Sequence, residues 1–99
     1  MKQIVLDNFA VVGGQYQALH DVISEIHEND LLELKATPEN PHDEYTVEVW
    51  WNEYQLGFIS RTKNVVIHNL LANDVPLIGI VSQVNTEYSK QVYFGIFLS

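Results

Sequence analysis

Two short segments hold the side chains best suited to chemistry. Asn40-Pro41-His42-Asp43 places an amide, a ring and a carboxylate around a proline that fixes φ. Asn and Asp side chains hydrogen-bond nearby backbone amides, so the segment reads first as a rigid turn. His42 adds a flat aromatic surface and a group that titrates near neutral pH. Gly57-Phe58-Ile59-Ser60-Arg61 leads into an expected helix, with Lys63 close behind. Free amides and the positive end of the helix dipole would favour an anion there, or Ser60 could serve only as a cap with the bases solvated.

Other chemistries lack their spacing. His20, His27, His42 and His68 include no pair at i+3 or i+4 and no H-E-x-x-H, so no helical metal-ligand pair is expected. Gly13-Gly14 lacks the lysine and hydroxyl that follow in a phosphate loop. The serines sit in no nucleophile motif, and there is no cysteine to supply a disulfide, thiolate ligand or nucleophile. No cofactor, no metal and no catalytic residue are expected.

The elements that must position these residues follow from pattern. Phe9 to Val12 reads as a strand ending at Gly13-Gly14. Residues 16–26 read as a helix, because Leu19, Val22, Ile23 and Ile26 form one apolar stripe. Asn29-Asp30 ends it, and Leu31 to Lys35 begins a second strand. Thr46–Trp51 and Gln55–Ile59 read as a hairpin, with Val47, Val49 and Trp51 on the core face and Trp50 covering an edge or a partner. A second helix is expected over 61–72, capped by Ser60 or Thr62, with Val66, Ile67, Leu70, Leu71 and Ala72 as its apolar side. Leu77–Val84 and Val92–Leu98 complete a β-α-β-β-β-α-β-β order. Six short strands in so small a chain are best closed into a barrel, which removes exposed edges.

Composition bounds the function classes. The 99 residues, with 46% hydrophobic and 11% aromatic content, suit one folded domain over 1–99. No apolar run reaches membrane-spanning length and no signal-peptide core forms, so a soluble cytoplasmic protein is expected. The net charge of −8 opposes a polyanionic partner. Lys35, Arg61 and Lys63, three of the five cations, nevertheless flank the candidate segments.

Asn40-Pro41-His42-Asp43, the strand after it, Leu56-Gly57-Phe58-Ile59-Ser60-Arg61 and the upstream Val12-Gly13-Gly14-Gln15-Tyr16 together resemble the HIRAN domain, from about Phe9 to Val84. The resemblance implies a mainly β (α+β) fold, a small OB-like six-stranded barrel with two short helices. It also implies a non-enzymatic module that binds single-stranded DNA, at a free 3′ end, in a setting such as DNA repair beside a helicase or nuclease. On that resemblance Tyr16 and His42 would stack on terminal bases, and Asp43 would accept a bond from the 3′-hydroxyl while repelling an internal phosphate. Gln15 would offer neutral hydrogen bonds, and Arg61 and Lys63 would meet phosphates. His42 stands where the family commonly has Tyr and keeps a flat aromatic surface, whereas Gln15 stands where the family often has a base, and losing that charge weakens phosphate binding. Tyr16 also fits a plainer role, packing on the barrel at the start of the helix. The rival reading is a protein-interaction module of the same fold with little DNA affinity, presenting Trp50 and Tyr54; acidity also leaves a homodimer open.

Overall fold

The structure is a computed structural model, and it describes residues 4–13, 17–37, 44–87 and 90–99. Its strands are β1 (Ile4–Ala10), β2 (Leu31–Ala36), β3 (Val47–Trp51), β4 (Tyr54–Phe58), β5 (Leu77–Asn85) and β6 (Gln91–Leu98). Two helices join them, α1 (Leu19–Val22), continued by a 3₁₀ turn at Ile23–Glu25, and α2 (Asn64–Ala72). The order across the sheet is β1-β6-β5-β2-β3-β4, and every paired neighbour is antiparallel. The sheet curls into a half-barrel. Its two outer strands are tied at one end, where Val12, just past β1, exchanges two backbone hydrogen bonds with Phe58 of β4, each 2.9 Å long.

Inside the curl lie Phe9, Val11, Leu32, Leu34, Val47, Val49, Leu56, Val81, Val92, Phe94 and Ile96, with Leu19, Val22, Ile23 and Ile26 from the first helical segment and Ile67 from the second. Phe9 and Phe94 stack at 5.6 Å, linking the β1–β6 pair at its centre. Alternation works as expected on β3, where Val47 and Val49 are fully buried and Trp51 packs partly against the core. The β3–β4 connection is a two-residue turn, with Asn52 at φ 53°, a conformation that Asn tolerates. A bulge places Leu56 between the Val49–Gly57 and Trp50–Gln55 pairs, so Leu56 and Gly57 are both buried. Gly79 permits the β2–β5 approach, because a Cβ there would come within 3.0 Å of Leu32 Cβ.

Three expectations change. The first strand extends back to Ile4, with one register shift between Ile4 and Leu6 and a second between Leu6 and Phe9 that absorbs Asn8 at φ 61°. The first helix is one α turn followed by a 3₁₀ turn rather than a continuous helix over 16–26; Ile26 is already extended at ψ 135°. The shorter segment still buries the expected stripe, since an α turn joined to a 3₁₀ turn also brings those four side chains to one side. In α2 the buried residues are Asn64, Ile67 and His68, while Val65, Val66 and Ala72 are exposed. The buried face is therefore rotated from the expected one, with Leu70 and Leu71 only partly covered.

No helix among the described residues is long and apolar enough to cross a membrane.

Candidate nucleic-acid interface

Backbone pairing brings the ends of the three candidate segments together. The Val12–Phe58 bridge sets Gly13 against Phe58, with a Cβ at Gly13 3.3 Å from the phenyl ring, and φ there is +71°. Gly13 thus needs both its missing side chain and its left-handed backbone. Beyond residues 14–16, Ala18 N–H donates to Gln55 O of the same β4 strand at 3.0 Å. Thr37 N–H donates to Thr46 O at 3.0 Å, bracing the two sides of residues 38–43. One residue on, Ile59 N–H donates to Val47 O at 3.0 Å. Val12 and Gly13 ahead of Gln15-Tyr16, the described residues that flank His42-Asp43, and the run into Ser60-Arg61 therefore border one end of the half-barrel, while Ala18, on the far side of Gln15-Tyr16, sits three residues back along β4 at Gln55.

Gln15, Tyr16, His42 and Asp43 themselves lie outside the described residues. Arg61 and Lys63 are described, both exposed, in the turn between β4 and α2. That turn is closed by Lys63 N–H donating to Ser60 O at 2.9 Å, and the Ser60 hydroxyl lies 2.9 Å from that of Thr62. Ser60 Oγ also accepts the Thr62 N–H at 3.3 Å. Neither hydroxyl caps the helix: Lys63 occupies the cap position and makes no side-chain cap bond, so the expected caps instead shape the preceding turn. Lys63 reaches back to β1, donating from Nζ to Asn8 O at 3.1 Å with its ammonium 5.2 Å from the Phe9 ring centre. An ammonium has three donors, so this contact leaves the charge able to meet an anion.

Two features went unread in the sequence. The first is the polar lining of α2. His68 is buried, its Nδ1 3.3 Å from Thr46 O, and the Tyr45 ring meets it edge-on at 5.6 Å. A carbonyl can only accept, so Nδ1 carries the proton in this contact. The signal was available as Asn64 and His68, one helical turn apart in a largely apolar stretch. The second is the outer face of the β2–β3 ladder. Lys35 Nζ sits 4.2 Å from the Trp50 ring centre, and Trp50 Nε1 donates to Glu48 Oε1 at 2.8 Å. Trp50 is thus half-buried under its neighbours rather than open to a partner. Trp51 instead donates from Nε1 to Asp30 Oδ2 at 3.2 Å and stacks on Tyr54 at 6.1 Å.

Among the described residues no group of three or more His, Asp or Glu side chains is placed to hold a metal ion.

Comparison with known proteins bears on this arrangement. The chain belongs to the HIRAN domain family, whose model matches residues 6–99. The fold is accordingly the OB-like, mainly β HIRAN fold. A crystal structure of a protein from Lactobacillus plantarum superimposes with a TM-score of 0.88 at 20% identity, covering 98% of this chain and 94% of that one. The HIRAN domain of human HLTF superimposes with a TM-score of 0.76 at 18% identity, covering 96% of this chain and 74% of that one. At these identities the likeness is one of fold. A search of curated proteins gives no match.

Proposed function

We propose that this chain is a non-enzymatic module that binds single-stranded DNA at a free 3′ end. HIRAN domains are known for DNA binding, and the chain belongs to that family. The observation that carries the reading is the meeting of the candidate segments' flanks at one end of the half-barrel, through Val12–Phe58, Thr37–Thr46 and Ile59–Val47. In this reading Tyr16 and His42 stack on the last bases, Asp43 accepts from the terminal hydroxyl, Gln15 adds a neutral hydrogen bond, and Arg61 with Lys63 meets phosphate. A carboxylate at the terminus favours hydroxyl over phosphate by simple charge repulsion. Fluorescence anisotropy at about 20 mM salt, where charges are least screened, tests it with strands ending in 3′-hydroxyl or 3′-phosphate. Absence of binding, or equal binding of a circular strand, defeats it.

The net charge of −8 favours a second reading, a protein-interaction module of the same fold that partners a helicase or nuclease. Exposed Leu31, Val65 and Val66 would then serve the contact in place of Trp50. In that case the anisotropy experiment gives no signal with any strand.

A further inference from the structure

We propose that the cleft where β2 parts from β5 is a docking site for a short extended peptide, which places an aliphatic side chain in the cleft and lysine or arginine beside it. β2 pairs with β5 through Leu31–Ile80 and Leu32–Gly79, then turns away to pair with β3 from Glu33 to Ala36. β5 begins two residues before Gly79, and its Leu77 and Ile78 pair with Leu98 and Phe97 of β6. The parting opens a cleft of about 260 Å³ lined by Leu31, Leu32, Leu77 and Ile78 together with Glu33 and Asn52. That volume falls below the roughly 300–1,000 Å³ of small-molecule pockets, so it suits a side chain or two better than a cofactor. Leu31 is 54% exposed, and Leu98, the β6 partner of Leu77, is exposed as well. An incoming aliphatic group would take that leucine surface out of water.

Charge selects the occupant. Glu33 is exposed in the lining, and Glu28, Asp30, Glu53 and Asp74 each lie within three positions of a lining residue. Lys35 is the one base within that distance along the chain, and its ammonium is held over the Trp50 ring. An apolar cleft with an acidic border attracts a basic segment and repels an acidic one or a nucleic acid. Among the described residues no strand pairs with Leu77 or Ile78 on the β2 side. That edge offers main-chain groups to an extended chain, the mode in which backbone bonds give affinity and side-chain pockets give specificity. The cleft shares no residue with the candidate DNA segments, so it is a second site and stands whether or not the chain binds DNA.

The test titrates the ¹⁵N-labelled full chain with three end-capped peptides, KKVLVKK, EEVLVEE and KKGSGKK. With KKVLVKK, amide shifts should concentrate on Leu31, Leu32, Glu33, Asn52, Leu77 and Ile78 and approach saturation by about 1 mM peptide. KKGSGKK should bind at least about tenfold more weakly for want of aliphatic side chains, and EEVLVEE should leave those amides unmoved. Leu31→Ser and Glu33→Lys, both at exposed positions, should each weaken KKVLVKK by roughly threefold to thirtyfold, the first through lost apolar contact and the second through charge. Amide spectra establish that each variant is folded, and Glu33→Lys decides alone if Leu31→Ser is not. No shift at the cleft with about 1 mM KKVLVKK, equal shifts with EEVLVEE, or shifts confined to the turn bearing Arg61 and Lys63 would each overturn the site. So would wild-type affinity in the folded variants, or KKGSGKK binding as tightly as KKVLVKK. Shifts of the same amides on raising protein concentration alone would put a second copy in the cleft and overturn the peptide.

Discussion

The Lys35 ammonium lies over the Trp50 ring, 4.2 Å from its centre, on the outer face of the β2–β3 ladder. Lys35 pairs across the strands with Glu48, whose carboxylate accepts the Trp50 N–H. One cation and one anion therefore hold the indole from two sides, and a basic residue that flanks the candidate segments is occupied in structure. Lys35→Met should cost about 0.5–1 kcal/mol of stability, the worth of an exposed cation–π contact, with little effect on DNA affinity. Urea unfolding followed by tryptophan fluorescence measures the first effect and anisotropy the second.

Asp43→Ala should abolish the preference for a 3′-hydroxyl over a 3′-phosphate, because the hydroxyl loses its acceptor and the phosphate loses its repeller. Tyr16→Ala should weaken every single strand alike by about 1–3 kcal/mol, since stacking is largely blind to sequence. Titration of a small panel of end-modified strands separates the two effects.

Few cations at the site imply a shallow salt dependence. With one to three phosphate contacts, log K against log salt should fall with a slope of about −0.7 to −2 for single strands. Arg61→Ala should flatten that slope by about 0.7, one phosphate's share. Lys63→Ala should flatten it similarly and also remove the bond to Asn8 O that joins the α2 turn to β1. A slope unchanged by both substitutions would remove these residues from the site.

The Asp30 carboxylate gathers two donors, His27 N–H at 2.9 Å and Trp51 Nε1 at 3.2 Å, and so fixes the chain between the 3₁₀ turn and β2 to the end of β3. Asp30→Ala should cost about 1.5–3 kcal/mol, the range for hydrogen bonds to a charged group, and should shift tryptophan emission as the indole N–H is freed. Chemical denaturation with emission scans checks both.

Helix α2 offers a direct comparison of neighbours. Val66→Ser should change stability by no more than about 0.5 kcal/mol, because Val66 is 57% exposed. Ile67→Ala should cost about 2–5 kcal/mol, because Ile67 is fully buried. Thermal unfolding of the two variants settles which face the helix buries.

That helix also marks where sequence reading stops. Its position was legible from composition and from the Asn73–Pro76 break, but its orientation was not. A scan for apolar residues assigns Val66 to the core and passes over Asn64 and His68; a tertiary partner such as Thr46 O is what makes a buried imidazole tolerable. On β3 the same logic succeeded, since Val47 and Val49 alternate with residues whose partners lie on adjacent strands. Strand identity was largely readable, whereas strand order was not: the pairing of β1 with β6 joins opposite ends of the chain, and no local pattern encodes it. Of the candidate site, the structure places Arg61 and Lys63 and the flanks of the other segments. Gln15, Tyr16, His42 and Asp43 lie outside the described residues.

The Val12–Phe58 bridge has a kinetic consequence. The β3–β4 and β5–β6 hairpins need only short loops closed and can form early, whereas this bridge joins β1 to β4 across the intervening α1 and β2–β3 segments. Chain-closure entropy favours forming it after those hairpins. The surface gathered beside it is therefore completed only after both hairpins, so a chain with those hairpins alone would carry strands of the domain without the end where the candidate segments meet.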